Sequence, residues 1–106
     1  MAVEVSIEQL KQAQQDGAMV IDVRNDDEYA AGHVAGAASI PLPEIEARMQ
    51  ELPKDQTLYF ICQGGGRSGK AADLLGAAGY DVRSVAAGTS AWVEAGGEVT
   101  TGSGQG

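Results

Sequence analysis

The run from Leu58 to Ser68 constrains this chain more than any other stretch. Leu58-Tyr59-Phe60-Ile61 is bulky and apolar, the pattern of a buried strand, and it leads into Cys62, the single cysteine of the sequence. Gln63-Gly64-Gly65-Gly66-Arg67 follows as a glycine-rich loop, and the Ala/Leu-rich segment from Lys70 to Ala78 reads as a helix closed by Gly79. Cys62 therefore sits on a strand-loop-helix turn. Consecutive glycines carry no side chains to keep loop amides from turning inward, and inward amides form an anion-binding concavity. A helix N-terminus adds unpaired N–H groups and partial positive charge, and Arg67 adds a full positive charge. All of these favour a thiolate. A lone cysteine after an apolar run is ordinarily a small buried hydrophobe, and a glycine triplet is ordinarily a flexible turn. Here strand end, cysteine, glycines, arginine and helix start coincide, which points to Cys62 as a nucleophile.

Spacing separates the chemistries such a loop can serve. Cysteine-based phosphatases and similar arsenate-reducing enzymes place one more residue between Cys and Arg than the Gln63, Gly64, Gly65 and Gly66 found here. The shorter loop resembles that of the rhodanese family of sulfurtransferases, whose pattern is Cys, two variable residues, Gly, one variable residue and Arg-Ser; Gly65, Arg67 and Ser68 fall on it. Ile21-Asp22-Val23-Arg24, Glu28-Tyr29, Gly32-His33-Val34-Ala35-Gly36-Ala37 and Ser39-Ile40-Pro41 are similar to the family's amino-terminal signature. Ala87-Gly88-Thr89-Ser90-Ala91-Trp92 with Ala95-Gly96 resembles its carboxy-terminal one. The likeness spans residues 4 to 99. Ala87 stands where the first Gly is usual, and Gly66 is an unusually bare loop position; both bear on substrate preference rather than on class.

The resemblance implies a sulfurtransferase. The Cys62 thiolate would take the outer sulfur of a donor such as thiosulfate, expel sulfite, and hold a persulfide that a second nucleophile, cyanide or a thiol, removes. Arg67 would hold the donor's sulfonate oxygens. Loop amides from Gln63 through Gly64, Gly65 and Gly66 to Ser68 would stabilise the persulfide, and the Ser68 hydroxyl would cap the helix or bond the sulfur. No general acid or base is needed for the first step, and no cofactor is implied. Partners would be a small-molecule sulfur donor and a thiophilic acceptor, either of which a protein can supply. Two rivals stand beside this reading: a sulfur-carrier or interaction module that receives persulfide sulfur from a protein partner, and a phosphatase-like anion hydrolase, which the loop length and the lack of a carboxylic acid in the loop disfavour.

Composition narrows the remaining classes. The 106 residues suit one domain over residues 1–99, followed by a flexible Gly/Ser-rich tail over 100–106. Seven basic against fifteen acidic side chains give a formal charge of −8, which repels nucleic acid and anionic membranes, so neither is an expected partner. An anionic substrate must then be drawn in by the local field of the loop. No segment is apolar enough to span a bilayer, and Met1-Ala2-Val3-Glu4 lacks the pattern of a secretory signal, so a cytoplasmic location is the default. One cysteine allows neither an internal disulfide nor a resolving thiol, and with only His33 beside it no zinc site.

The order of elements implies an α/β fold. Ser6 with Gln9 resembles a capping box and opens a helix ending at Gly17. Ala18 to Val23 reads as a buried strand, Asn25 or Asp26 caps a short helix through Ala31, and Ala38 to Ile40 makes a brief strand. Pro43 suits the first turn of a helix running to Leu52. Thr57 to Cys62 is the central strand, Ser68 to Ala78 the helix after the loop, Val82 to Val85 another strand, and Ser90 to Ala95 a last helix. With the resemblance, this predicts a rhodanese-like three-layer sandwich: a mainly parallel central sheet of about five strands flanked by helices, with Cys62 beyond the carboxyl ends of the strands. Asp22, Arg24 and Glu28 are expected in structural ion pairs, His33 in bonds to backbone groups, Trp92 at a core edge, Met19 and Met49 as core filler, and Lys70 in solvent.

Overall fold

The computed structural model describes residues 3–102. In chain order it contains β1 (Val3–Val5), α1 (Ile7–Gln15), β2 (Met19–Asp22), α2 (Asp26–Ala31), β3 (His33–Val34), β4 (Ala38–Ser39), α3 (Ile45–Arg48), β5 (Leu58–Ile61), α4 (Gly66–Ala77), β6 (Val82–Val85), α5 (Gly88–Glu94) and β7 (Val99–Thr100). Five strands form one sheet in the order β1-β6-β5-β2-β4, and every pair in it is parallel. The central strands are apolar on both sides because both faces are covered. Leu58 and Phe60 of β5 join Ile21, Ile45 and Leu75 on one face, under α3 and α4. Val20 and Ile61 join Leu10, Val85 and Trp92 on the other, under α1 and α5. Period-two alternation along β2 and β5 thus assigns each side chain to a layer, and each fully buried large apolar side chain contributes about 1.5–3 kcal/mol. This is the three-layer α/β sandwich with a parallel five-stranded sheet that the sequence implies. Among the described residues no helix is long and apolar enough to cross a membrane.

Helix starts follow local chemistry. The Ser6 hydroxyl accepts from the Gln9 amide at 3.1 Å and the Gln9 side chain accepts from the Ser6 amide at 2.8 Å, the reciprocal box expected there. The Asn25 amide donates to the Glu28 carboxylate at 3.2 Å at the start of α2. Three boundaries differ from expectation. The single helix expected from Pro43 to Leu52 is a 3-10 turn over Leu42–Glu44, then α3, then a second 3-10 turn over Met49–Glu51. Leu52 precedes Pro53, whose ring excludes helical geometry from the residue before it, and Leu52 is accordingly extended. The helix after the loop starts at Gly66 rather than Ser68, since Gly65 turns the chain with φ of 105° and frees the next residues to enter the helix. α5 likewise begins at Gly88 rather than Ser90.

A small antiparallel ribbon closes the molecule beside α2. His33 pairs with Thr100 and Val34 with Val99, and the Gly102 amide donates to the Ala30 carbonyl at 2.8 Å. The flexible tail expected from residue 100 therefore starts instead with paired residues; its remainder from 103 to 106 lies outside the described residues. Trp92 anchors the same corner. Its indole N–H donates to the Glu98 carbonyl at 2.8 Å, and a Cβ on Gly97 would overlap its ring. Met19 and Met49 pack against the first core cluster, as expected of filler.

Candidate active site

Cys62 follows β5 directly, at the carboxyl edge of the sheet where crossovers leave a crevice. Its side chain is buried, 1% exposed, so the sulfur sits beneath the loop rather than on it. Gly65 aims its amide down at Sγ, 3.0 Å away. The Ser68 hydroxyl, in the first turn of α4, lies 3.6 Å from Sγ, 3.0 Å from the Gly65 carbonyl and 2.8 Å from the hydroxyl of Ser84; it accepts from the thiol and can turn its own proton to the thiolate. Burial pushes the Cys62 thiol up, but the Ser68 hydroxyl and the amides of Ser68, Gly65 and Gly64 outweigh it and hold the thiol below its ordinary value. Oriented amides and hydroxyls thus favour the thiolate even at a buried sulfur.

Two close backbone approaches build this cradle. Gly65 passes so near β6 that a Cβ would overlap the Ala86 carbonyl, and Gly88 passes so near the loop that a Cβ would overlap the carbonyls of Gln63 and Cys62. Both glycines also take positive φ, 105° and 68°. Thr89, next to Gly88, donates to the Cys62 carbonyl from its amide at 2.8 Å and its hydroxyl at 3.0 Å. The carboxy-terminal signature thus grips the loop from behind.

Of the loop residues singled out from sequence, the backbone of Gly64 and Gly65 and both backbone and side chain of Ser68 gather round Cys62. The side chains of Gln63 and Arg67 are hydrogen-bonded to other groups, with Arg67 still within charge range of Cys62. Gln63 accepts from Arg24 Nη1 at 3.1 Å and donates to the Ser90 hydroxyl at 2.5 Å. Arg67 forms a two-pronged pair with Glu28, Nη1 to Oε1 at 2.6 Å and Nη2 to Oε2 at 3.0 Å. Those bonds to Arg67 hold the Glu28 carboxyl down to about 2, and Glu28 in turn raises the Arg67 guanidinium. Gly66 is exposed, with open space around it, and Lys70 is exposed one turn further along α4.

Arg24 is spent on structure. It donates to both Asp22 oxygens over 2.8–3.1 Å and to the Gly32 carbonyl at 2.7 Å, within a buried pair. The expected Asp22–Arg24 pair is present, while Glu28 belongs to Arg67 instead. His33 is buried, stacks on Tyr29 at 3.6 Å and bonds the Tyr29 carbonyl through Nδ1 at 2.8 Å, the structural use expected of it. Beside the loop, Arg24, Glu28, Gln63, Ser90, Val93 and Val99 line a groove of about 700 Å³. A smaller recess of about 510 Å³ lies between α4 and β6, near Asp73 and Arg83, and none of the residues around the sulfur lines it. Sequence reasoning left Ser84 and Thr89 without a role at the site: a serine inside a strand carries no local signal, and Thr89 is visible only as part of the signature around Gly88.

The site is thus a buried, amide-cradled thiol at the carboxyl edge of a parallel α/β sheet. The model of the Rhodanese-like domain matches residues 6–95, and this chain belongs to that family. It is 33% identical to a sulfurtransferase of Allochromatium vinosum, over 91% of this chain and 92% of that protein. It is 37% identical to the putative sulfur carrier protein YrkF of Bacillus subtilis, over 73% of this chain; the chain spans less than half the length of that relative and of another from the same organism. Among solved structures, a rhodanese-related protein from Thermoplasma volcanium superposes with a TM-score of 0.87 at 28% identity, covering 92% of this chain and 97% of that one.

Proposed function

We propose that this protein is a sulfurtransferase that carries sulfane sulfur as a persulfide on Cys62. The observation that carries the reading is the convergence of the Gly65 amide and the Ser68 hydroxyl on a buried Sγ whose pKa is lowered. In the first step the thiolate attacks the sulfane sulfur of the donor. An S–S bond forms to Cys62, the donor's own S–S or S–sulfonate bond breaks, and its electron pair leaves on a thiolate or on sulfite. The amides of Gly64, Gly65 and Ser68 then face a charge displaced outward by one atom, and a thiophilic acceptor such as cyanide or a thiol removes the outer sulfur. Thiosulfate is one donor this scheme admits. The single thiol suits a reducing, cytoplasmic setting.

Intact mass tests the proposal: incubation with a sulfane-sulfur donor adds the mass of one sulfur atom, and cyanide removes it. Cys62→Ser abolishes both the adduct and turnover. An unchanged mass with thiosulfate and with organic persulfides, or turnover by Cys62→Ser, overturns it. A second reading, a carrier loaded by a protein partner, draws on the likeness to a putative sulfur carrier. It is distinguished by full loading of Cys62 without multiple turnover on cyanide.

A further inference from the structure

We infer that Glu28 is a positioning residue that screens Arg67 and directs the site toward organic persulfides, R–S–SH, rather than the dianion thiosulfate; this rests on the sulfurtransferase reading above. The loop has two kinds of positive group to offer an anion, and both are already committed. Its inward amides are taken by Sγ. Its guanidinium is taken by both oxygens of Glu28, in the fork geometry that a sulfonate would otherwise occupy. The neighbouring Arg24 is closed off by Asp22, Gly32 and Gln63. Around the mouth the charges therefore cancel in pairs, Arg67 with Glu28 and Arg24 with Asp22. Glu94, exposed on the groove rim with no ion pair among the described residues, adds a net negative charge. A dianion arriving at a chain of net charge −8 meets no unpaired cation on the groove wall.

An organic persulfide has what the groove can take. Its transferable sulfur approaches Sγ as the outer sulfur of thiosulfate does, but the donor carries at most one negative charge there and no sulfonate. Its R group needs room and an uncharged wall, which Ala31, Val93 and Val99 supply, with Gln63 and Ser90 as hydrogen-bonding groups. The step balances without any further reactant. Cys62–S⁻ attacks the terminal sulfur of R–S–SH, the Cys62 S–S bond forms as the R–S bond to that sulfur breaks, and R–S⁻ leaves with the electron pair. The proton stays on the transferred sulfur or passes to the leaving thiolate.

The test compares kcat/KM for thiosulfate with that for cysteine persulfide, in wild type and in Glu28→Gln. Because intrinsic donor reactivity is the same for both proteins, the change in the ratio isolates the screen. Glutamine keeps an oxygen for the Asn25 amide and for Arg67 but removes the charge. The thiosulfate-to-persulfide ratio is expected to rise by about fivefold, the discrimination that one partly exposed ion pair sets. The gain should fall on the KM for thiosulfate, weaken with added salt, and vanish in an Arg67→Ala background. Glu28→Asp, which keeps the charge but withdraws it by one methylene, should move the ratio in the same direction by less, and serves if the glutamine variant does not fold. A persulfidated cysteine peptide beside the free amino acid shows whether the donor is borne by a polypeptide or free. An unchanged ratio in Glu28→Gln and Glu28→Asp, or a wild type that uses thiosulfate better than either persulfide, overturns this assignment while leaving the sulfurtransferase reading intact. Absence of any sulfur adduct on Cys62 overturns both.

Discussion

The carbonyl oxygen of Cys62 is held twice by Thr89, through the amide at 2.8 Å and the hydroxyl at 3.0 Å. Residues 27 positions apart in sequence are thereby joined at the point where β5 ends and the loop begins. A backbone clamped on its carbonyl cannot rotate Cys62 away from the amides that face its sulfur. Thr89→Val keeps the shape and the amide bond but removes the hydroxyl, so it is expected to lower stability by about 1 kcal/mol. It should also slow sulfur uptake on Cys62. A urea midpoint and an uptake rate both equal to wild type would show that the amide alone suffices.

The thiol should titrate in two separable layers. Iodoacetamide alkylation followed against pH is expected to give a Cys62 midpoint below the ~8.5 of an ordinary cysteine, in line with the downward shift. Hydrogen bonds to the charged form favour it, so Ser68→Ala should raise the midpoint. Ser84→Ala should raise it by less, because Ser84 reaches the sulfur only through Ser68. A midpoint in Ser68→Ala equal to wild type would leave the loop amides as the whole cause.

The Arg67–Glu28 pair should appear in acid stability. The Glu28 carboxyl lies at about 2 in the folded protein against an ordinary 4.5, so the folded state binds its proton less readily than the unfolded state does. Its contribution is complete above the unfolded value and is lost as pH falls through that value toward about 2. With both side chains about a third exposed, at 35% and 33%, solvent screens the pair and the effect is small. The difference in urea midpoint between wild type and Glu28→Gln should shrink between pH 6 and pH 2, whereas a constant difference would show that ionisation of Glu28 contributes nothing to stability.

Gly88→Ala and Gly65→Ala should both be costly, for a reason no surface glycine shares. Each replacement puts a Cβ into a backbone carbonyl and forces a side-chain residue to hold positive φ. A loss of about 2 kcal/mol or more is expected from strain and displacement together, measured by chemical unfolding. Gly66→Ala, in open space with ordinary φ, is the matched control and should be close to neutral or mildly stabilising.

The parts that were legible from sequence are those whose cause is local. The apolar run before Cys62, the glycine triplet, the Ser6–Gln9 box and the Asn25 cap all act within a few residues, and all appear in the structure. β1, β3 and β7 went unread because strands of two or three residues show no alternation; β4 is as short, and was read only as part of the longer stretch over 38–40. Arg67 is the instructive case. Its charge and its place in the loop were plain, but its partner lies 39 residues back on α2, and only the fold brings the two together. Ser84 is likewise silent until β6 is laid beside β5 and its hydroxyl comes under Ser68.

The ribbon of β3 and β7 has two residues in each strand, and Val99 of β7 also forms part of the groove wall. Such a short ladder has little to resist opening on its own, so its amides belong among the faster-exchanging ordered ones of the molecule. A molecule seated against Val99 adds contacts only when the ribbon is closed. Amide exchange around residues 99 and 100 therefore becomes a gauge of groove occupancy that needs neither turnover nor a label, read from a part of the chain remote in sequence from the sulfur it reports on.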